Sequence, residues 1–179
     1  IPYGVPLENV TLTDPQLVEH VFKSHDFTGV LHLAAKKQVG ESVERPDYYW
    51  DQNVRGLTNL LDAMAAAGVG NLVFSSSAAV YGQPELVAGQ DITETTECRP
   101  LSPYGATKLM GEWLAQAHSV TQGASVVALR YFNVAGAGAD DLCDAFELNL
   151  IPIVLAAVNS GRVPHIFGDD YPTADGTCI

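Results

Sequence analysis

The sequence predicts an α/β protein built on a doubly wound, mostly parallel sheet. Short β-rich runs alternate along the 179 residues with longer segments whose apolar residues recur at helical spacing. The β-rich runs are mostly unbroken apolar stretches, which are typical of parallel strands buried on both faces. Hydrophobic residues make up 47% of the chain and charged residues 17%, which is the composition of a globular protein.

The first predicted elements are a helix, a strand and a second helix. The first helix is predicted to begin at Pro15, because Asp14 can cap it and an apolar stripe follows. Residues 29–33 predict a buried strand. A long helix is predicted over 46–67, since its apolar residues keep helical spacing and Gly68 suits the position just after a helix.

The remaining elements repeat this alternation. Strands are predicted at 71–74 and 124–129, with a helix that begins at Ser102 and Pro103 and continues to about residue 117. A last helix is predicted from about 148 to 159. In such a Rossmann-like sheet, ligands bind beyond the carboxyl ends of the strands. The three segments that follow the strands, 34–37, 75–77 and 130–133, are therefore predicted to carry the function.

Charge and cysteine content exclude several classes of partner. Asp and Glu outnumber Lys and Arg by 21 to 9, and a net charge of −12 disfavours binding to nucleic acid or to an anionic membrane. The longest apolar run, 151–158, is far shorter than the ~20 residues of a membrane span. Cys98, Cys143 and Cys178 are odd in number and far apart, so they predict neither a disulfide framework nor a metal site. We therefore predict a cytoplasmic protein without a metal.

The sharpest motif is Tyr104-Gly-Ala-Thr-Lys108, at the start of a predicted helix. A serine cap at 102 followed by a proline places Tyr104 and Lys108 one turn apart on one face. A phenol has a pKa of about 10, and a neighbouring ammonium group lowers it. The pair can therefore exchange a proton with a hydroxyl group. On its own, the same spacing is also that of an ordinary surface contact.

Three serines, Ser75, Ser76 and Ser77, follow the predicted strand 71–74. Hydroxyl groups at the mouth of a buried strand cost free energy unless they are hydrogen bonded. A turn or a helix cap would satisfy them as well as a ligand would. Along the chain, a strand is followed by the serine run, then by Tyr104 and Lys108. This combination is a more specific signal than any of these features alone.

These motifs resemble the extended branch of the short-chain dehydrogenase/reductase superfamily and, within it, the family of UDP-hexose 4-epimerases. The matching stretches cover nearly all of the chain: LHLAAKKQVGES at 31–42, FSSSAAVYG at 74–82, SPYGATK at 102–108, LRYFN at 129–133 and FGDDYPTADGT at 167–177. The resemblance implies interconversion of UDP-galactose and UDP-glucose by transient oxidation at the sugar C4 with bound NAD. It also implies a homodimer, formed by the helices over 46–67 and 103–117.

The resemblance assigns roles residue by residue. It makes Ser77 the hydrogen-bond partner of the sugar O4, Tyr104 the acid/base, and Lys108 the electrostatic partner of Tyr104. The cofactor-binding residues that it implies are Leu33, Ala34, Ala35, Lys37, Asn53, Ser75, Tyr104, Lys108 and Tyr131. The substrate-binding residues that it implies are Ser77, Phe132, Asn133, Asn149, Leu150 and Phe167.

One family feature is absent from the sequence, namely a glycine-rich dinucleotide-binding turn. In the family this turn lies on the first strand, before Ile1, so we expect the chain to be a fragment. Residues 1–134 are then part of an NAD-binding domain without its first strand, and 135–179 are part of a sugar-nucleotide-binding region. The 179-residue chain alone is expected to be inactive.

Two alternatives stay open at the level of the sequence. Another NAD-dependent sugar-nucleotide epimerase or a 4,6-dehydratase would share the fold. Dehydratases of this kind place Asp-Glu just after the active-site hydroxyl residue, where this chain has Ala78 and Ala79. The alternative of another class is a truncated, non-catalytic remnant that binds a partner through its two long helices. The presence of Ser77, Tyr104 and Lys108 favours the enzyme.

Overall fold

The computed structural model describes residues 4–84, 91–139, 142, 149–165, 168–171 and 176. The chain divides into two compact units, Ile1–Phe132 and Asn133–Ile179. The elements, in chain order, are α1 (Pro15–Ser24), β1 (Val30–His32), α2 (Val39–Glu44), α3 (Pro46–Tyr49), a π-helical segment (Trp50–Arg55), α4 (Gly56–Ala67), β2 (Asn71–Ser75), a 3₁₀ turn (Ala78–Val80), α5 (Pro103–Gln122), β3 (Ser125–Leu129) and α6 (Leu150–Asn159).

The first unit contains a three-stranded parallel sheet in the order β1-β2-β3. Leu31 pairs with Val73, and Val73 pairs in turn with Val127. Each strand is reached through a helical connection, so the carboxyl ends of all three strands lie at one edge of the sheet. The predicted α/β class with a parallel, Rossmann-like sheet is confirmed.

Helices α1, α4 and α5 cover one face of this sheet and form the core with it. Leu72 and Phe74 of β2 point into this core beside Leu57 and Met64 of α4. Gly111 allows α5 to approach closely, because a Cβ there would lie 2.5 Å from the ring of Phe74. The close approach holds the first turns of α5 beside the end of β2.

The opposite face of the sheet is exposed in the described part of the chain. Leu31 is 61% exposed and Val127 is 50% exposed, although both lie within strands. The prediction that the strands are buried on both faces is therefore wrong for these residues. The physical reason is that α1, α4 and α5 all pack on the same side. The apolar sequence of the strands predicts that both faces of the sheet are buried. The helices in the described part of the chain cover only one of these faces.

Several predicted boundaries are confirmed and others are corrected. Asp14 caps α1 through bonds from the backbone N–H groups of Gln16 and Leu17, and Gly68 ends α4 with a φ of 70°. The predicted helix 46–67 is helical throughout, but residues 50–55 form a π-helical segment. The short helix α2 and the 3₁₀ turn were not predicted, and α5 continues to Gln122. In these segments, tertiary packing decides the conformation more than local periodicity does.

The second unit contains α6, which matches the predicted helix from about 148 to 159 within the described residues. Asn149 occupies its N-cap position. Among the described residues, no helix has the length and apolar character needed to cross a membrane. The division of functions between residues 1–134 and 135–179 stays a prediction.

Candidate active site

The serine run lies at the carboxyl end of β2, and each serine is held by a different contact. The carbonyl oxygen of Ser75 accepts a hydrogen bond from Lys108 Nζ at 2.7 Å. The hydroxyl of Ser76 donates to Glu112. The hydroxyl oxygen of Ser77 accepts from the backbone N–H of Ala79 at 3.2 Å and caps the 3₁₀ turn. Accepting this bond does not use the O–H donor of Ser77, which can still bond a ligand.

Helix α5 presents the tyrosine and the lysine from its first two turns. Ser102 caps the helix by accepting from the backbone N–H of Gly105 at 3.1 Å, as predicted. Lys108 Nζ lies 5.9 Å from the ring centroid of Tyr104. Gly105 allows α5 to begin against the 3₁₀ turn, because a Cβ there would lie 2.6 Å from the carbonyl oxygen of Ala79. The start of α5 is thereby packed against the residues that follow Ser77.

Lys108 is a buried cation, since only 4% of its surface is exposed. Burial lowers its pKa from 10.5 to about 8. Its neighbour His32, at the end of β1, is also buried and stacks on Phe74 with ring centroids 5.8 Å apart. Burial, and then the positive charge of Lys108, lower the pKa of His32 to about 4. At neutral pH the site therefore holds a charged lysine beside a neutral histidine.

Asn53 connects the segment after β1 to helix α5. Its Oδ1 accepts from the backbone N–H of Lys36 at 2.8 Å, and its Nδ2 donates to the carbonyl of Lys36 at 3.0 Å. Nδ2 also donates to Thr107 Oγ1 at 3.1 Å. Asn53 lies in the π-helical segment, a conformation that is frequent at functional sites. It therefore ties the backbone of Lys36 to the residue that precedes Lys108.

A cavity of about 310 Å³ opens at the carboxyl end of β1. Small and apolar side chains form much of its wall, and its lining residues are Val10, Thr11, Leu12, Ala34, Ala35, Lys36 and Gln52. Ala34 and Ala35 were predicted from the sequence. The segment 10–12 and Gln52 were missed, because no glycine motif or charge pattern marks them. Lys36 joins this cavity to α5 through the bonds of Asn53.

The residues after β3 reach the same edge of the sheet. The carbonyl of Tyr131 accepts from the backbone N–H of Ala78 at 2.7 Å, so this segment is tied to the residue after Ser77. Phe132 stacks on Tyr81 with ring centroids 6.3 Å apart. The side chains of Tyr131 and Phe132 are both exposed.

The predicted site residues fall into three groups. The first unit brings one group to the strand ends: Leu33, Ala34, Ala35, Lys37, Asn53, Ser75, Ser77, Tyr104, Lys108, Tyr131 and Phe132. Asn133, Asn149 and Leu150 lie in the second unit. Phe167 lies outside the described residues. The roles of all these residues stay predictions.

A Rossmann-like parallel sheet with a serine run, a tyrosine and a lysine at its strand ends is typical of the short-chain dehydrogenase/reductase type. The model of the NAD dependent epimerase/dehydratase family matches residues 2–177. The chain belongs to this family.

Named relatives agree with this assignment. The chain is 44% identical over 182 residues to a UDP-glucose 4-epimerase of Streptomyces lividans, a match that covers all of this chain and 54% of the relative. It is 47% identical over 165 residues to a UDP-glucose 4-epimerase of Corynebacterium glutamicum, covering 91% of this chain and 49% of the relative. The crystal structure of UDP-glucose 4-epimerase from Brucella ovis in complex with NAD superposes with a TM-score of 0.84 at 39% identity, covering 96% of this chain and 53% of that one. The chain thus spans about half the length of the relatives it matches.

Proposed function

We propose that the intact protein interconverts UDP-galactose and UDP-glucose, with NAD as a tightly held cofactor. The observation that carries the proposal is the arrangement of Tyr104 and Lys108 on one face of α5, with Lys108 bonded to the carbonyl of Ser75, the first residue of the serine run. The two relatives described above, both UDP-glucose 4-epimerases, support the substrate.

The residues present fit a dinucleotide. The cavity at the end of β1 is within the size range of ligand sites, and the short side chains of Ala34 and Ala35 form part of its wall. We propose that this wall holds part of NAD, together with Leu33 and Lys37 after β1 and Asn53 in the π-helical segment. Ser75 at the end of β2 and Tyr131 after β3 are proposed to contact NAD as well. When bound, NAD would accept and return the hydride at the sugar C4, which no side chain can do.

The side chains of this chain then handle the proton and hold the sugar. Tyr104 takes the O4 proton as the alcohol is oxidised and gives it back on reduction. Lys108 places a positive charge 5.9 Å from the ring centroid of Tyr104, where it is proposed to act as the electrostatic partner of the acid/base. The O–H of Ser77 holds O4. Phe132, Asn133, Asn149, Leu150 and Phe167 are proposed to contact the nucleotide sugar.

The residues after Ser77 support epimerisation over 4,6-dehydration. Elimination of water from the sugar needs a further acid/base pair beside the hydroxyl residue. Ala78 and Ala79 occupy this place in the 3₁₀ turn, and their methyl groups cannot exchange a proton.

The substitution Tyr104→Phe tests the proposal in the intact protein. We expect kcat for UDP-galactose to fall by about 100-fold or more, because the ring remains but the exchangeable proton is lost. The measurement is UDP-glucose formation with NAD present. Tyr48→Phe is the matched control, since it removes a hydroxyl from α3 and is expected to leave kcat within about twofold. A Tyr104→Phe variant as active as the wild type would contradict the assignment of the base.

We also propose that the intact protein is a cytoplasmic homodimer whose contact uses α5 and the helical run 46–67. Trp113 of α5 is 58% exposed, and Trp50 of that run is also exposed. Large aromatic side chains on a surface are typical of protein interfaces. We expect sedimentation to show a dimer at micromolar concentration, and Trp113→Glu to shift it to monomer. A wild-type protein that sediments only as a monomer would contradict this proposal.

A further inference from the structure

Helix α5 carries a third residue on the face of Tyr104 and Lys108. Glu112 follows Lys108 by four residues, so all three side chains lie along one side of the helix. Lys108 Nζ donates to the carbonyl of Ser75, and Glu112 Oε1 accepts from the hydroxyl of Ser76 at 2.5 Å. Two successive turns of α5 thus hold two successive serines. The next serine along the chain is Ser77, which is proposed to bond the sugar.

Glu112 is itself held by Arg130, the first residue after β3. Arg130 Nε lies 3.0 and 3.2 Å from the two carboxylate oxygens of Glu112, and one terminal nitrogen lies 2.7 Å from Oε2. The side chains are only 21% and 10% exposed. Such a forked, partly buried ion pair is among the strongest polar contacts in proteins. The carboxylate also raises the pKa of the Arg130 guanidinium.

Arg130 extends the network to the other side of the serine turn. Its other terminal nitrogen donates to the hydroxyl of Tyr81 at 3.0 Å and to the carbonyl of Glu94 at 3.1 Å. Its guanidinium carbon lies 5.0 Å from the ring centroid of Tyr81. Tyr81 lies just after the 3₁₀ turn that Ser77 caps. The ion pair therefore contacts residues on both sides of Ser77.

We propose that Glu112 and Arg130 are positioning residues, which set the place of the Ser77 hydroxyl relative to Tyr104 and Lys108 by acting through Ser76. The inference rests on the proposed function. Both side chains bond groups of the protein, so their effect on the reaction runs through the serine run. Small misplacements of reacting groups reduce rates strongly, and this makes the effect measurable in kcat.

The test compares Glu112→Gln and Ser76→Ala in the intact protein. Glu112→Gln keeps the size of the side chain and removes its charge, whereas Ser76→Ala leaves the ion pair in place. We expect each variant to lower kcat for UDP-galactose by about tenfold, with KM and bound NAD within about twofold of the wild type. Because Glu112 acts through Ser76, we expect the double variant to be no slower than Ser76→Ala alone.

A matched control is available on α2. Glu41 also accepts from one hydroxyl, that of Tyr49 at 2.9 Å, and from one guanidinium, that of Arg45 at 3.3 Å. Glu41→Gln therefore removes the same kind of charge and is expected to leave kcat within about twofold. Thermal unfolding of each variant measures the effect on stability separately.

The outcomes decide between the inference and the proposed function. A slow Glu112→Gln variant with a fully active Ser76→Ala variant would overturn the inference, because the loss would then come from breaking the ion pair. Losses that multiply in the double variant would overturn it too. If Glu112→Gln does not fold, the kcat of Ser76→Ala decides alone. A wild-type protein without UDP-galactose turnover would overturn the proposed function, and the inference with it.

Discussion

At the scale of single residues, the candidate site is built from polar side chains that are buried among apolar ones. Asn53, Ser76, Thr107 and Lys108 are all buried. Burying a polar group costs free energy unless it is hydrogen bonded, and all four make hydrogen bonds. Lys108 differs from the others because it carries a charge and donates to a neutral carbonyl. Its burial therefore keeps an electrostatic cost that hydrogen bonding does not remove.

This cost predicts how stability depends on pH. The pKa of Lys108 is about 8 in the folded protein and 10.5 for an exposed lysine, so between these values the unfolded chain binds a proton that the folded one does not. The free energy of unfolding therefore rises with pH across this window, by about 3 kcal/mol in total. The cost is fully present below pH 8 and is relieved above it.

The variant Lys108→Met isolates this effect, since methionine does not titrate. We expect the wild-type protein to gain stability relative to Lys108→Met between pH 8 and pH 10.5. Urea unfolding of both proteins at pH 7.5 and pH 10 measures the difference. If the free energy of unfolding changes by the same amount in both proteins between these two pH values, the lysine is not desolvated in the fold.

At the scale of elements, capping and stop signals in the sequence predicted where long helices begin and end. The cap at Ser102 and the stop at Gly68 depend on neighbouring residues only, and the structure confirms both. The π-helical segment was not predicted, because six residues inside a longer helix leave no separate period in the sequence. The short helix α2 was missed for a similar reason, since it spans less than two turns.

The partners of the site residues depend on tertiary packing and could not be predicted. Asn53 was expected to contact the cofactor, and the structure gives it three hydrogen bonds to Lys36 and Thr107, which are distant in sequence. Its contact with NAD stays a prediction. Glu112 lies one turn after Lys108, a spacing visible in the sequence. Its pairing with Arg130 requires that α5 and the end of β3 come together, which no local pattern shows.

At the scale of the whole chain, one face of the sheet decides how the 179 residues behave in water. Leu31, Val127 and Leu129 are exposed on strands whose other face forms the core. In the described sheet, β1 and β3 are also edge strands. Exposed apolar faces and open strand edges favour association between molecules. The net charge of −12 opposes association but acts over the whole surface rather than on this face.

We expect the 179-residue chain, expressed alone, to bind the dye ANS, to self-associate at micromolar concentration, and to form no UDP-glucose from UDP-galactose and NAD. The association follows from the exposed sheet face, and the inactivity follows from a sequence without a glycine-rich turn for the diphosphate of NAD. Val127→Lys places a charge on the exposed face and is expected to reduce dye binding and light scattering. Val163→Lys, at an exposed valine outside the sheet and outside the helices proposed for the dimer contact, is the matched control and is expected to change neither. A chain that stays monomeric and binds no dye would contradict the expected effect of the exposed sheet face. A chain that turns over UDP-galactose would contradict the expected need for a glycine-rich turn in cofactor binding.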